Sequence, residues 1–160
     1  MAYEYHSHWV LRAPIETVWV ALTEVETWPQ WWPYVRQVRT LRRGDASGLG
    51  ALRRIDWASR LPYGFTLDVE CTEVRRLQLL RGRARGDLEG EGVWTLAALD
   101  ANSTAVRYTW RLALNRPWMK LVAPMMAPLF RWNHEGVMRG GESGLARHLS
   151  GGPATLLAQR

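Results

Sequence analysis

Strict alternation opens the chain: Tyr3, Tyr5, Ser7, Trp9 and Leu11 fall on one side of an extended segment running to Arg12, which predicts a first strand. Ala13 to Leu22 then changes to helical spacing. Pro14 suits a first helical turn, where the missing N–H costs nothing, and Glu16 lies near the positive end of the helix. Val18, Trp19 and Leu22 supply an apolar stripe that must pack on something. A Trp/Pro-rich turn, Trp28-Pro29-Gln30-Trp31-Trp32-Pro33, follows it.

Period two then returns and persists for most of the chain. Strands are predicted over 34–42, 51–58, 65–74, 77–85, 87–99 and 104–114, separated by short turn signals such as Gly44-Asp45, Ser47-Gly48 and Asp100-Ala101-Asn102-Ser103. Phe65, Leu67, Val69 and Cys71 oppose Thr66, Asp68, Glu70 and Thr72. Short connections between so many strands imply an antiparallel meander. From Pro117 to about Leu149 the period becomes helical again, through Trp118, Leu121, Val122, Met125, Leu129, Trp132, Val137 and Leu145, with Pro124 and Pro128 expected to kink or divide the helix. Residues 1–150 therefore read as one α+β domain, a curved seven-stranded antiparallel sheet around a long helix, and 151–160 as a mobile tail.

Composition narrows the class. At 160 residues the chain can bury a real core. No apolar run reaches the roughly 18 residues of a membrane span, and no secretory signal is visible, which leaves transient membrane contact at most. Cys71 is the single cysteine, so no internal disulfide is expected and a cytoplasmic location is the expectation. The formal charge of +6 comes from 21 basic residues of which Lys120 is the one lysine. Many arginines, among them Arg42, Arg43, Arg53, Arg54, Arg75, Arg76, Arg81, Arg83 and Arg85, fall in the first half of the sheet, interleaved with acids. With no recognition helix, zinc spacing or aromatic RNA motif, they read as a solvated outer face and not as a nucleic-acid surface.

Four motifs carry a family resemblance: Ala-Pro-Ile-Glu-x-Val-Trp at 13–19, Trp-Pro-x-Trp-Trp-Pro at 28–33, Leu-Pro-Tyr at 61–63 and Gly-Asp-Leu-Glu-Gly-x-Gly-x-Trp at 86–94. With Pro117-Trp118-Met119 and Trp132-Asn133-His134, they make the chain resemble the START-related helix-grip superfamily (SRPBCC), in its polyketide cyclase/dehydrase and lipid-transport branch. That resemblance implies a sheet gripping the C-terminal helix, with an apolar cavity between them. It leaves the chemistry open, because the fold serves cyclases, lipid carriers, hormone receptors and chaperone cofactors.

The candidate ligand-binding residues are Arg53, Trp57, Trp94, Tyr108, Trp110, Met125, Leu129 and Asn133. Trp57, Trp94 and Trp110 divide evenly between core and cavity wall, and glycines 90 and 92 beside Trp94 would give room or allow coiling. Tyr108 and Asn133 are polar groups in apolar stripes, suited to orienting a small ligand. Arg53 shares its strand face with Ile55 and Trp57, where it could hold a carboxylate or enolate. His134 is expected in a packing or helix-surface role, with general base as its alternative. His6 and His8 lack a third ligand, so no metal is expected, and no cofactor motif is present. Gly136, Gly140 and Gly144 recur every fourth residue and are expected to permit close packing. The reading is a small hydrophobic or aromatic ligand held in a cavity, with cyclase/dehydrase-like chemistry open. The alternatives are a non-enzymatic lipid carrier or a stress-type partner-binding module. Catalytic residues and oligomeric state are not assigned.

Overall fold

The computed structural model describes residues 2–62, 64–114 and 117–151. The tail expected over 151–160 lies almost wholly outside them. Seven strands, β1 (Ala2–Leu11), β2 (Val35–Arg42), β3 (Leu52–Trp57), β4 (Phe65–Arg75), β5 (Leu79–Gly86), β6 (Glu89–Asp100) and β7 (Ser103–Ala113), form one sheet in the order β1-β7-β6-β5-β4-β3-β2. Every neighbouring pair is antiparallel. Helix α1 (Ile15–Thr23) and a short 3-10 turn (Val25–Gln30) carry the chain from β1 at one edge to β2 at the other. Helix α2 (Pro117–Ser150) closes the fold.

Local chemistry explains the elements. Pro14 has φ −58°, and its carbonyl accepts from Thr17 and Val18 N–H at 3.0 and 3.2 Å, which starts α1. Val18, Trp19, Ala21 and Leu22 form its buried face. Thr104, fully buried at the start of β7, donates its hydroxyl to the Ala13 carbonyl at 2.8 Å and pins that junction. The strand expected from Leu77 begins instead at Leu79. Leu77 takes φ 65° in the turn after β4 and packs against the core.

The sheet has a dry face and a charged one. Inward on β1 are Tyr5, Trp9 and Leu11; on β4, Leu67 and Cys71; on β6, Trp94 and Leu96. Outward, the arginines meet carboxylates across strands: Arg54 with Asp68 at 2.7 Å, Arg81 with Glu73 and Glu91 at 3.0 and 2.7 Å, and Arg111 with Glu4 at 2.8 Å. The basic strands are thus in part a self-neutralised surface, where ion pairs open to solvent contribute little to stability.

Helix α2 is one element of 34 residues that runs through Pro124 and Pro128 without dividing. Both prolines are exposed, as are residues 120 and 124, whose carbonyls lose a partner, so water can satisfy the interrupted bonds. The second half of α2 docks through its glycines. A Cβ on Gly141 would stand 2.6 Å from the Trp32 ring, one on Gly140 2.8 Å from Tyr34, and one on Gly144 would strike the Trp31 carbonyl. Close approach is therefore what this strip provides, and it lets Trp32 Nε1 donate to the Val137 carbonyl at 2.8 Å, fully buried. The first half behaves differently. Trp118, Leu121, Val122, Met125 and Trp132 are exposed, while Met119, Ala123, Met126 and Phe130 turn toward the sheet.

Candidate ligand-binding site

Between the sheet and the first two-thirds of α2 lies a cavity of about 530 Å³. Its floor comes from alternating positions of the sheet: Tyr5 on β1, Leu67 on β4, Trp94 on β6, and Tyr108, Trp110 and Leu112 on β7. The register sets these side by side, Tyr5 opposite Trp110 and Trp94 opposite Tyr108. Glycines on β6 shape it. A Cβ on Gly92 would lie 2.5 Å from the Tyr108 hydroxyl, and one on Gly90 2.9 Å from the Trp110 ring. The room beside each glycine is thus taken by a lining ring from β7.

Trp28, Trp32 and Trp57 wall one end of the cavity, and Met119, Ala123, Met126, Phe130, Asn133, His134 and Val137 form the roof on α2. Ser59, Leu61, Asp87, Leu88, Trp118 and Val122 add to the lining. Trp118, Val122 and Asp87 are exposed, which puts the mouth at the N-terminal end of α2 and the loops before β4 and β6.

Of the eight residues proposed from sequence, Trp57, Trp94, Tyr108, Trp110 and Asn133 line the cavity. Arg53, Met125 and Leu129 do not. Arg53 is on the inward face as expected but four residues from Trp57, about 13 Å along the strand, where Glu26 takes its guanidinium at 2.7 Å. Met125 is 83% exposed on the outer side of α2. Because 117–130 is apolar almost all round, helical spacing picks out two faces there, and the stripe through Met125 and Leu129 is the outer one. Asn133 lines the cavity but spends its side-chain oxygen on the loop before β4, accepting from the Arg60 N–H at 2.8 Å, while the Arg60 guanidinium lies 3.7 Å over Trp132.

Two polar residues outside the proposed set define the site's chemistry. Tyr5 is 8% exposed, and among the described residues neither its hydroxyl nor the buried His134 Nε2 finds a hydrogen-bond partner. Their rings are 5.0 Å apart, and Tyr108 stands 6.4 Å from His134. Trp28 and Trp57 add two more buried indole N–H groups without partners among the described residues. Desolvation pushes the His134 pKa down to about 4, so the ring is neutral at pH 7. The same burial raises the phenols of Tyr108 and Tyr5, for Tyr5 against a counteracting pull from Arg131. Asp87, at the mouth, is the one carboxylic side chain among the described lining residues, and it accepts from the Thr66 N–H at 2.8 Å. Tyr5 was legible as a polar ring on the inward face of β1, although nothing in the chain marked it as lacking a partner.

An antiparallel sheet curled over a long helix, with an aromatic cavity between the two, defines a helix-grip container. Residues 11–138 match the family model described as "Polyketide cyclase / dehydrase and lipid transport", and the chain belongs to that family. Among solved structures it is similar to a START superfamily protein from Mycobacterium smegmatis (TM-score 0.72, 15% identity, covering 89% of this chain and 94% of that one). It is also similar to the Zhui aromatase/cyclase from Streptomyces sp. R1128 (TM-score 0.73, 16% identity, 93% and 96% covered). A third similar structure is the protein TTHA0849 from Thermus thermophilus (TM-score 0.68, 20% identity, 88% and 95% covered). No curated protein sequence matches. At these identities the structural likeness shows the fold alone.

Proposed function

We propose that this protein binds a small hydrophobic or aromatic ligand in the cavity between its sheet and α2. The observation that carries the reading is a 530 Å³ space walled mainly by indole, phenol and aliphatic side chains, with few polar groups. Apolar burial supplies the affinity, at roughly 25 cal/mol per Å² before the costs of association are deducted. The rings of Trp57, Trp94, Tyr108 and Trp110 give flat surfaces against which an aromatic skeleton can stack.

Binding is better supported than acid–base catalysis. His134 has no carboxylate among the described lining residues placed to orient it, and its low pKa makes it a weak base. A cyclase/dehydrase-like activity would have to rest on confinement, with the walls holding a flexible chain in a reactive conformer. The partner-binding alternative is the less well supported, because Arg42, Arg54, Arg75 and Arg81 are already engaged by carboxylates, and it would rest on the exposed Arg43, Arg76, Arg83 and Arg85. Native mass spectrometry of gently purified protein, followed by organic extraction, tests the reading. A stoichiometric apolar compound is expected. An empty protein that gains no thermal stability from a panel of aromatic and lipid ligands would refute it.

A further inference from the structure

Among the described residues, half of the exposed large hydrophobic side chains lie in one short stretch of α2: Trp118, Leu121, Val122, Met125 and Trp132. Trp118, Leu121 and Met125 are 60%, 80% and 83% exposed. At 3.6 residues per turn these five and the half-buried Leu129 fall within an arc of about 100°. That stripe is about a quarter-turn from the face of Met119, Ala123, Met126 and Phe130, which lines the cavity. Isolated exposed apolar residues need no explanation, but a contiguous stripe marks a surface that is covered in use.

The charges beside the stripe select what covers it. Residues 117–134 contain Lys120 and Arg131 and no acidic residue. Both cations are exposed, and Arg60 sets a third over the Trp132 ring at 3.7 Å. A second copy of this chain would bring like charges together across the contact, on molecules that each carry a formal +6. A surface of acidic phospholipids meets the same cations with opposite charge. The two tryptophans end the stripe about 21 Å apart along the axis, and indole is the side chain best suited to the boundary between headgroups and acyl chains. Among the described residues no helix is long and apolar enough to cross a membrane, so α2 would lie in the interface and not span it.

We propose that the outer stripe of α2 is a docking surface for an anionic lipid bilayer. Leu121 and Met125 enter the acyl boundary, while Lys120 and Arg131 extend to the headgroups. Trp118 and Val122 belong both to the stripe and to the cavity lining, so docking turns the cavity mouth toward lipid. Attachment of this kind does not depend on what the cavity holds.

Co-sedimentation of the full chain with phosphatidylcholine vesicles, and with vesicles that also contain phosphatidylserine, tests it. The parent chain is expected to sediment with the mixed vesicles and at least about tenfold more weakly with phosphatidylcholine alone. The double variant L121Q/M125Q, altered at exposed positions that leave the fold intact, should lose at least about tenfold in affinity for the mixed vesicles. Lys120→Glu should weaken the same binding about tenfold. Failure of the parent chain to bind either vesicle would overturn the proposal. So would undiminished binding by L121Q/M125Q, which would assign the attraction to the arginines of the sheet. A dimer of the parent chain that L121Q/M125Q abolishes would give the stripe to a second copy and overturn it as well.

Discussion

The two ends of the space between sheet and α2 are built from the same residue types and come out opposite. At one end Trp9, Trp28, Trp31, Trp32 and Trp94 pack edge to face and stacked, with ring centroids 5.2–6.1 Å apart, and the core is solid. At the other, Tyr5, Leu112, Leu114 and Ala123 make a small cluster beside the cavity. What separates them is how near α2 can come. Gly140, Gly141 and Gly144 let the helix sit directly on Tyr34, Trp32 and Trp31. Before Asn133 the helix turns Met119, Ala123, Met126 and Phe130 toward the sheet, and these line the cavity. The glycines at 140, 141 and 144 thus mark where the helix meets the aromatic core, and the stretch before Asn133 lies over the cavity.

If that contrast is right, the heaviest penalty falls at the solid end. Trp32→Ala removes a side chain 1% exposed and its buried bond to Val137, and should lower unfolding free energy by about 5 kcal/mol in a urea titration. A loss below about 2 kcal/mol would mean that the indole cluster does not hold the helix.

Next in size is a pH effect from the cavity end. The His134 pKa is about 4 in the folded chain against 6.5 for an unperturbed imidazole. Above pH 6.5 both states are neutral and the contribution is level. Between 6.5 and 4 the unfolded chain takes up a proton that the folded one refuses, so stability falls with pH by about 3 kcal/mol in total. Below 4 both are protonated and the effect is flat. Replacing His134 by Phe should flatten this segment of the stability curve, and an unchanged slope would place the imidazole in water.

Smallest is the outer face of α2. Met125→Gln changes a side chain 83% exposed, and thermal unfolding should register within about 0.5 kcal/mol. A larger loss would mean that the face is packed against something, which would redraw the boundary between the two ends.

Most of the architecture was legible because alternation is a property of single strands. The inward faces of β1 and β4 could be read from Tyr5-Trp9-Leu11 and Leu67-Cys71 before any partner strand was known. Alternation reports a face but not a depth along it, which is why Arg53 was grouped with Trp57 although Glu26 holds it at the far end of β3. The outer stripe of α2 misled for a different reason. With Lys120 as the one charge between residues 117 and 130, no polar face tells inside from outside, so Met125 and Leu129 were assigned to the cavity that Met126 and Phe130 line. The prolines within α2 obey the local rule against them but sit where water can mend the damage. Missing partners were beyond reach altogether, since whether the Tyr5 hydroxyl finds one depends on residues more than a hundred positions away.

The central claim is that the cavity between the sheet and the first part of α2 binds the ligand, and filling it tests this most directly. Ala123 is 2% exposed and part of the lining, so a larger side chain there takes up cavity volume. Ala123→Phe should unfold cooperatively within a few degrees of the parent chain while its affinity for 2-naphthol drops at least about tenfold. Undiminished binding by a folded Ala123→Phe protein would place the ligand elsewhere and contradict the account.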